Sequence, residues 1–164
     1  MASSLDGFIA RPGGEYDWIP EEPGIDWGEF LDRFDTVLMG RRTYDVVADE
    51  DEGLVGDMRT IVFSTTLDPG ADPDVEVTRE DPRQVVEQLR TEEGKDIWLM
   101  GGGVLFREFL DAEVVDLVEV AIVPKLLGEG IPMLAPWTGE AALQLQHREE
   151  YPSGIVLLRY ELLH

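Results

Sequence analysis

The 164-residue sequence contains no cysteine and only two lysines, Lys95 and Lys125. Without a cysteine, and without a Gly-x-Ser-x-Gly motif, the chain shows no sign of covalent nucleophilic catalysis. No apolar run approaches the roughly 20 residues that a membrane-spanning helix needs. The N-terminus also lacks the basic and apolar regions of a signal peptide. We therefore expect a cytoplasmic protein that has no membrane partner.

Positive charge is scarce, since 35 acidic residues face 13 basic ones and the formal net charge is −22. A surface of this sign repels nucleic acid. Such a charge destabilises a compact chain at low salt, whereas at molar salt screening shortens its reach to a few ångströms. The acidic residues are spread along the chain instead of forming a tail. We interpret them as an adaptation to a salt-rich cell; the alternative is an ordinary acidic protein.

The length predicts one domain spanning residues 1–164. Short apolar runs bounded by Gly, Pro or Asp predict buried strands at Thr36–Met39, Thr60–Phe63, Ile97–Met100, Asp116–Val123 and Ile155–Tyr160. Helices are predicted between them at Trp27–Phe34, Thr43–Ala48, Pro82–Glu93 and Val104–Leu110. This alternation predicts an α/β fold with a mainly parallel central sheet and helices on both faces. Residues 143–150 and 155–161 predict a closing antiparallel hairpin.

Two predicted strands end in glycine and lead directly into a helix, at Gly40 and at Gly101–Gly103. Glycine lets the backbone approach an anion closely, and a helix N-terminus supplies free N–H groups and a favourable dipole. Together the two turns could hold a pyrophosphate; the alternative is plain strand-to-helix geometry. Neither turn matches the dinucleotide fingerprint, whose third glycine would fall at Phe106, and the chain has no P-loop motif.

A third predicted strand ends in hydroxyl residues, Ser64 and Thr65, at the sheet edge where parallel sheets bind ligands. Arg41 and Arg42 follow Gly40 at a helix start, where two cations oppose the helix dipole unless an anion is present. These four residues would suit an additional phosphate. The alternative is that the arginines only offset acidic neighbours in solvent.

Four segments in chain order carry a family resemblance: Ser4–Ala10, Leu38–Tyr44, Met100–Gly103 and Val123–Leu134. They resemble the dihydrofolate reductase-like family, most closely its branch with the reductase domain of bifunctional riboflavin-pathway deaminase-reductases. The resemblance extends over nearly the whole chain. It implies the three-layer fold of that family and the cofactor NADPH.

The resemblance also implies site residues. Those for the pyrophosphate would be Gly40, Arg41, Arg42, Thr43, Gly101, Gly102, Gly103, Val104 and Leu105. Ser64 and Thr65 with the two arginines would take the adenosine 2′-phosphate, and Ala2 and Ile9 would lie beside the nicotinamide. Residues 11–24 would form a mobile loop over the active site, with Tyr16 and Trp18 either stacking on a flat substrate or anchoring the loop.

Asp26 is the candidate carboxylate that would support protonation of the substrate, although an N-cap role explains it equally well. Asp6 is better explained as a turn residue whose carboxylate binds backbone N–H groups than as a catalytic acid. His147 and His164 are too far apart and too isolated to predict a metal site.

The implied activity is hydride transfer from NADPH to a small heterocyclic or ribose-derived substrate, which makes the chain an NADPH-dependent oxidoreductase. The alternative is a non-catalytic NADPH- or nucleotide-binding module. We also expect a homodimer, because the related riboflavin-pathway reductases pair through their C-terminal strands and residues 155–158 are apolar on both faces.

Overall fold

The structure, a computed structural model, describes residues 1–49, 55–70 and 72–163. Its strands are β1 (Ala2–Ser4), β2 (Phe8–Ala10), β3 (Phe34–Gly40), β4 (Arg59–Phe63), β5 (Val75–Thr78), β6 (Asp96–Gly101), β7 (Leu117–Val123), β8 (Ile131–Pro132), β9 (Ala142–Glu150) and β10 (Val156–Leu163). Its helices are α1 (Trp27–Leu31), α2 (Arg41–Asp49), α3 (Pro82–Leu89) and α4 (Gly103–Asp111).

Contacts within the chain divide it into two compact units. The central unit comprises Asp26–Ala112, and the terminal unit combines Met1–Ile25 with Glu113–His164. Each unit has its own sheet or sheets, so the two are described separately. The expectation of one domain stays a prediction.

The central unit is built on a four-stranded sheet in the order β5-β4-β3-β6, in which every neighbouring pair is parallel. One of its two inner strands, β3, contains the apolar run Val37–Leu38–Met39, and these three residues are at most 1% exposed. Such runs are typical of parallel strands that are covered on both faces. The predicted mainly parallel α/β sheet is therefore confirmed.

Helices cover both faces of this sheet. Tyr44 of α2 packs against the buried cluster around Val37, Met39 and Val62. On the opposite face, Phe63 packs edge-on against Phe109 of α4, with ring centroids 5.3 Å apart. Because successive strand residues alternate between faces, Val62 and Phe63 mark opposite sides of β4.

The terminal unit holds a four-stranded sheet in the order β1-β7-β10-β9 and a two-stranded sheet of β2 and β8. β1 is parallel to β7, whereas β7, β10 and β9 are antiparallel. The β9–β10 turn is closed by hydrogen bonds from Tyr151 N to Ile155 O, 2.9 Å, and from Gly154 N to Tyr151 O, 2.8 Å. The predicted C-terminal hairpin is therefore confirmed.

Several sequence-based boundaries need correction. Trp27–Phe34 was predicted to be one helix, but α1 ends at Leu31 and Phe34 begins β3, where it stacks on Trp98. α3 ends at Leu89 instead of Glu93. The dimer argument also treats residues 155–158 as an edge strand, and this is wrong, because β10 lies between β7 and β9, and β9 is the edge strand.

Candidate functional site

The ends of three parallel strands meet at one edge of the central sheet. Gly40 at the end of β3 is in register with Phe63 at the end of β4, and Met39 is in register with Gly101 at the end of β6. Ligands of open parallel sheets bind beyond such carboxyl ends. The structure therefore brings the sequence-predicted residues around Gly40, Ser64 and Gly101 to one edge.

The first turn, at Gly40, has no connecting loop, because β3 ends at Gly40 and α2 begins at Arg41. A Cβ atom placed on Gly40 would meet no other atom within 4 Å. This open space beside a helix start is what close approach of an anion to the backbone requires. Thr43, in the first turn of α2, is half-buried.

The two arginines of this turn differ in their environment. The Arg41 guanidinium pairs with Asp45 one helical turn later, with an Nε–Oδ1 distance of 2.7 Å. Arg42 is exposed and has no ion pair or hydrogen bond among the residues that the structure describes. The sequence argument was that two cations at this helix start need an anion; Asp45 supplies one for Arg41, so the argument now concerns Arg42.

The second turn, at Gly101–Gly103, links β6 to α4. Gly101 has φ +129° in the region that favours glycine, and a Cβ there would again meet nothing within 4 Å. The peptide bond between Gly101 and Gly102 is cis. Gly102 caps α4 without a side-chain hydrogen bond, which leaves the N–H groups of the first turn open to an anion. Within that turn Val104 is exposed and Leu105 is buried.

The hydroxyl residues after β4 have separate environments. Ser64 is 8% exposed, and its Oγ accepts hydrogen bonds from Thr66 N at 3.2 Å and Leu67 N at 2.9 Å. Through these two hydrogen bonds Ser64 stabilises the turn after β4. Thr65, the next residue of the same turn, is exposed.

Arg79 is a residue of this edge that sequence reasoning missed. It directly follows β5, whose last residue Thr78 is in register with Phe63 and accepts a hydrogen bond from Ser64 N at 3.1 Å. β5 was not predicted because it is short and its apolar residues alternate with Glu76. Had this Val-Glu-Val-Thr alternation been interpreted as a strand, Arg79 would have been placed at the edge.

In the terminal unit, Ala2 lies in β1 and Ile9 in β2, and both are half-buried. Ala2 packs against the buried cluster of Trp18, Val123 and Ile155. Their expected position beside a nicotinamide stays a prediction.

Asp6 connects two loops of the terminal unit. Its carboxylate accepts hydrogen bonds from Ser4 Oγ at 2.6 Å, Gly128 N at 2.7 Å and Leu127 N at 3.1 Å. The Ser4 hydroxyl and the Gly128 N–H lower the pKa of Asp6 from 3.8 to about 2. The backbone-binding role was predicted as a local one, but the N–H groups of Leu127 and Gly128 that the carboxylate binds are 121 and 122 positions away along the chain. Asp6 is thus an anionic clamp.

The segment over residues 11–24 is fixed at several points within the terminal unit. The Arg11 guanidinium holds both carboxylate oxygens of Asp17, at 2.7 and 3.2 Å. Trp18 is 2% exposed, and its carbonyl accepts a hydrogen bond from Lys125 Nζ at 2.7 Å. Trp18 is therefore an anchor, as the alternative interpretation held, and its ring cannot offer a free stacking face. Tyr16 is 47% exposed.

A further tie joins this segment to the C-terminal hairpin. Glu22 accepts hydrogen bonds from Ser153 N at 3.1 Å and from Gly24 N at 2.9 Å. Its hydrogen bonds to Ser153 and Gly24 lower the pKa of Glu22. The expected mobility of the segment stays a prediction.

Asp26 is the N-cap of α1, and its Oδ1 accepts a hydrogen bond from Glu29 N at 2.9 Å. The capping role is therefore confirmed, and the catalytic role stays a prediction. Among the described residues, no group of three His, Cys, Asp or Glu side chains could hold a metal ion. His147 is in β9, and His164 lies outside the described residues. No described helix is both long and apolar enough to cross a membrane.

Solved structures with the same fold identify the structural class of this chain. The crystal structure of a Shewanella sp. PV-4 protein assigned to riboflavin biosynthesis matches this chain with a TM-score of 0.86 and 25% identity. The match covers 100% of this chain and 97% of that one. Dihydrofolate reductase from Enterococcus faecalis, in complex with NADP(H), matches with a TM-score of 0.66 and 19% identity, covering 99% and 94%. The chain therefore has the dihydrofolate reductase-like fold.

The family follows from the sequence. Residues 1–157 match the model of the RibD C-terminal domain, and the chain belongs to this family of reductase domains. The YwjB protein of Bacillus subtilis (strain 168) is 31% identical over 161 residues, which cover 96% of this chain and 92% of YwjB. A Thermotoga maritima deaminase/5-amino-6-(5-phosphoribosylamino)uracil reductase matches in structure with a TM-score of 0.73 and 22% identity, covering 99% of this chain and 55% of that one.

Proposed function

We propose that the protein is an NADPH-dependent reductase that transfers a hydride to a small heterocyclic or ribose-derived substrate. One observation carries the proposal: two glycine turns with open space at Gly40 and Gly101 lie at one edge of a parallel sheet, each at a helix start. Membership of a family of reductase domains supports the reaction type. The NADP(H) complex of the E. faecalis reductase supports the choice of cofactor.

The residues at the edge fit a dinucleotide phosphate. The first turns of α2 and α4 would hold the pyrophosphate through backbone N–H groups. No described side chain caps the N-terminus of α4, and at Gly40 and Gly101 there is no Cβ to fill the open space beside the backbone. The exposed Arg42 and Thr65 would serve the 2′-phosphate. An anionic ligand meets a chain of net charge −22, so local cations are needed to offset the long-range repulsion.

When bound, NADPH supplies the hydride, and the protein binds and orients the reactants and keeps water away from them. Asp26 is the candidate for proton support, because Oδ1 caps α1 while Oδ2 has no hydrogen bond among the described residues. The substrate class rests on the reaction in the name of the Thermotoga enzyme, which reduces a phosphoribosylamino-uracil.

A homodimer remains part of the proposal, but its contact surface is now the edge strand β9 instead of residues 155–158. Every residue of the edge strand β9 is exposed, and Leu143 and Leu145 are about half-exposed. A long, exposed edge strand favours pairing with another chain. Sedimentation in high salt should therefore give twice the mass of 18.4 kDa; a monomer at micromolar concentration would contradict the homodimer.

The test of the proposed function is steady-state oxidation of NADPH followed by absorbance. The substrates should include a phosphoribosylamino-uracil, pterins and quinones, all at one high potassium chloride concentration. We expect oxidation that depends on one substrate class and saturates with it. Tight NADPH binding without oxidation across the panel would favour the non-catalytic binding module, and the absence of any dinucleotide binding would overturn both.

A further inference from the structure

The turn between β1 and β2 is held by a continuous network of hydrogen bonds. The Phe8 N–H donates to Ser4 Oγ at 2.9 Å, and the Ser4 hydroxyl donates to Asp6 Oδ1 at 2.6 Å. The turn is closed by a hydrogen bond from Gly7 N to Ser4 O, 3.0 Å. Because Ser4 is 1% exposed, bulk water does not compete for its hydroxyl. The first residue of β2 is therefore connected to the Asp6 carboxylate through one buried side chain.

The loop that follows β7 binds the other side of the Asp6 carboxylate. Oδ2 accepts a hydrogen bond from Gly128 N at 2.7 Å, and Leu127 N lies 3.1 Å from both carboxylate oxygens. Beside this contact, Leu5 N donates to Lys125 O at 2.8 Å. Hydrogen bonds to an ionised carboxylate are among the stronger ones in proteins. Asp6 therefore joins two segments that are distant in the sequence.

The strand β2 is short, so its place depends on what holds its ends. In the part of the chain that the structure describes, β2 pairs with β8 alone, and β8 has two residues. Beyond that ladder, Met133 N donates to Gly7 O at 2.9 Å. A two-stranded ribbon is marginally stable by itself. The Asp6 network is therefore a main constraint on the position of β2, whose central residue is Ile9.

Asp6 follows the carboxyl end of a parallel strand pair in the terminal unit. β1 is parallel to β7 with Ser4 in register with Val123, so the Asp6 turn and the Leu127 loop leave the sheet at the same end. Open α/β sheets bind ligands beyond such ends. The hydrogen bonds from Ser4 and Gly128 lower the pKa of Asp6 from 3.8 to about 2, so the carboxyl group has no proton to donate at neutral pH. A structural use of this carboxylate thus fits better than acid catalysis.

We propose that Asp6 is a positioning residue for hydride transfer, which acts on Ile9 through Ser4 and Phe8. The inference rests on the proposed function and on the expected place of Ala2 and Ile9 beside the nicotinamide. Asp6 fixes the backbone between these two residues and therefore fixes them relative to each other. A misplacement of about 1 Å at a reacting centre costs about a hundredfold in rate. Loss of the network should therefore slow the reaction far more than it weakens dinucleotide binding.

The test compares the wild-type protein with Asp6→Ala, Asp6→Asn and the matched control Asp35→Asn. The Asp35 carboxylate likewise accepts one backbone N–H, from Lys95 at 2.6 Å, and one hydroxyl, from Thr36 at 2.9 Å. Asp35 lies near the start of β3, whereas Gly40 and the candidate site lie at the end of that strand. The control therefore removes a similar carboxylate without touching β2.

Three quantities are measured at one high potassium chloride concentration. They are NADPH affinity by titration, the single-turnover rate of hydride transfer to the panel substrate that the wild type reduces, and amide hydrogen exchange of residues 7–10 without cofactor. We expect Asp6→Ala to speed this exchange about tenfold and to slow hydride transfer about ten- to a hundredfold, while NADPH affinity changes less than about threefold. Asp6→Asn keeps one acceptor oxygen, so its rate should lie between those of Asp6→Ala and the wild type. Asp35→Asn should change neither the exchange nor the rate.

Each way of failing has its own signature. Faster exchange in residues 7–10 combined with a wild-type rate of hydride transfer would overturn the positioning role and leave the proposed function standing. If Asp35→Asn slows hydride transfer as much as Asp6→Asn does, general loss of stability explains both, and the role is again overturned. Equal losses of NADPH affinity and rate would make Asp6 part of the binding site instead. A wild-type protein that reduces no substrate of the panel would overturn the reductase function, and the positioning role with it.

Discussion

The substitution Gly40→Ala separates the stability of the fold from the binding of phosphate. A Cβ at residue 40 meets no atom within 4 Å, and Gly40 is not among the glycines with positive φ. Alanine therefore fits the native backbone without strain, and it restricts the unfolded chain. We expect the free energy of unfolding to rise by about 0.4–1 kcal/mol. In a chain of this size, that corresponds to about 1–4 °C in the unfolding midpoint.

The same methyl group occupies the space that a pyrophosphate would need. A glycine turn serves an anion by letting it pack closely against the Cα, and a ligand in that position would clash with an added carbon. We expect Gly40→Ala to weaken NADPH binding by at least about a hundredfold, equivalent to about 2.8 kcal/mol.

Both quantities are measurable on the same samples, by chemical unfolding and by NADPH titration at one salt concentration. Gly154→Ala is the control with the opposite pattern, because Gly154 has φ +84° in the β9–β10 turn and an alanine there is strained. The control should lower stability by about 1–3 kcal/mol and leave binding intact. Undiminished NADPH binding by Gly40→Ala would refute the placement of the pyrophosphate, and a large loss of stability would refute the open space.

Four further outcomes are expected. Asp26→Asn keeps an N-cap that serves Glu29 N–H, so turnover should fall while the unfolding free energy changes by less than about 0.5 kcal/mol; unchanged turnover would remove Asp26 from the reaction. Because the folded state lowers the pKa of Asp6 to about 2, its carboxylate stabilises the fold above pH 3.8, and that contribution is lost as the pH falls toward 2. Acid titration of Asp6→Asn should accordingly show a weaker pH dependence in this window, and a wild-type-like curve would contradict the clamp. Trp18→Ala should cost about 3–5 kcal/mol of stability in urea unfolding, since the ring is 2% exposed, and a cost below about 1 kcal/mol would argue against an anchor. The thermal midpoint should rise strongly from dilute buffer to molar potassium chloride because the net charge is −22, whereas a flat or falling midpoint would contradict adaptation to salt.

The central sheet was largely predictable because its strands are near-continuous apolar runs. β3, β4 and β6 were found from the sequence with boundaries that differ by one or two residues. β5 was missed because four alternating residues resemble a loop, and β2 and β8 were missed because they are shorter still. Periodicity detects a strand only when the run is long enough to exceed chance.

The site was predictable as a set of strand ends, but its pairings were not. The Arg41–Asp45 contact follows an i, i+4 spacing and could have been read from the sequence. In contrast, nothing local indicates that Asp6 binds the N–H groups of Leu127 and Gly128, because that contact depends on how distant loops pack. Strand order likewise determined that Arg79 and Arg42 share an edge, and strand order is absent from a single sequence.

The division of the chain has a consequence for its synthesis on the ribosome. The central unit is one uninterrupted segment, Asp26–Ala112, whereas the terminal unit needs both ends of the chain. β1 pairs with β7, so the pairing of Ala2 with Ala121 cannot form until Ala121 has been synthesised. The central unit can therefore fold while translation continues, and the terminal unit must close its long loop afterwards. β1 is thus synthesised well before the strand with which it pairs.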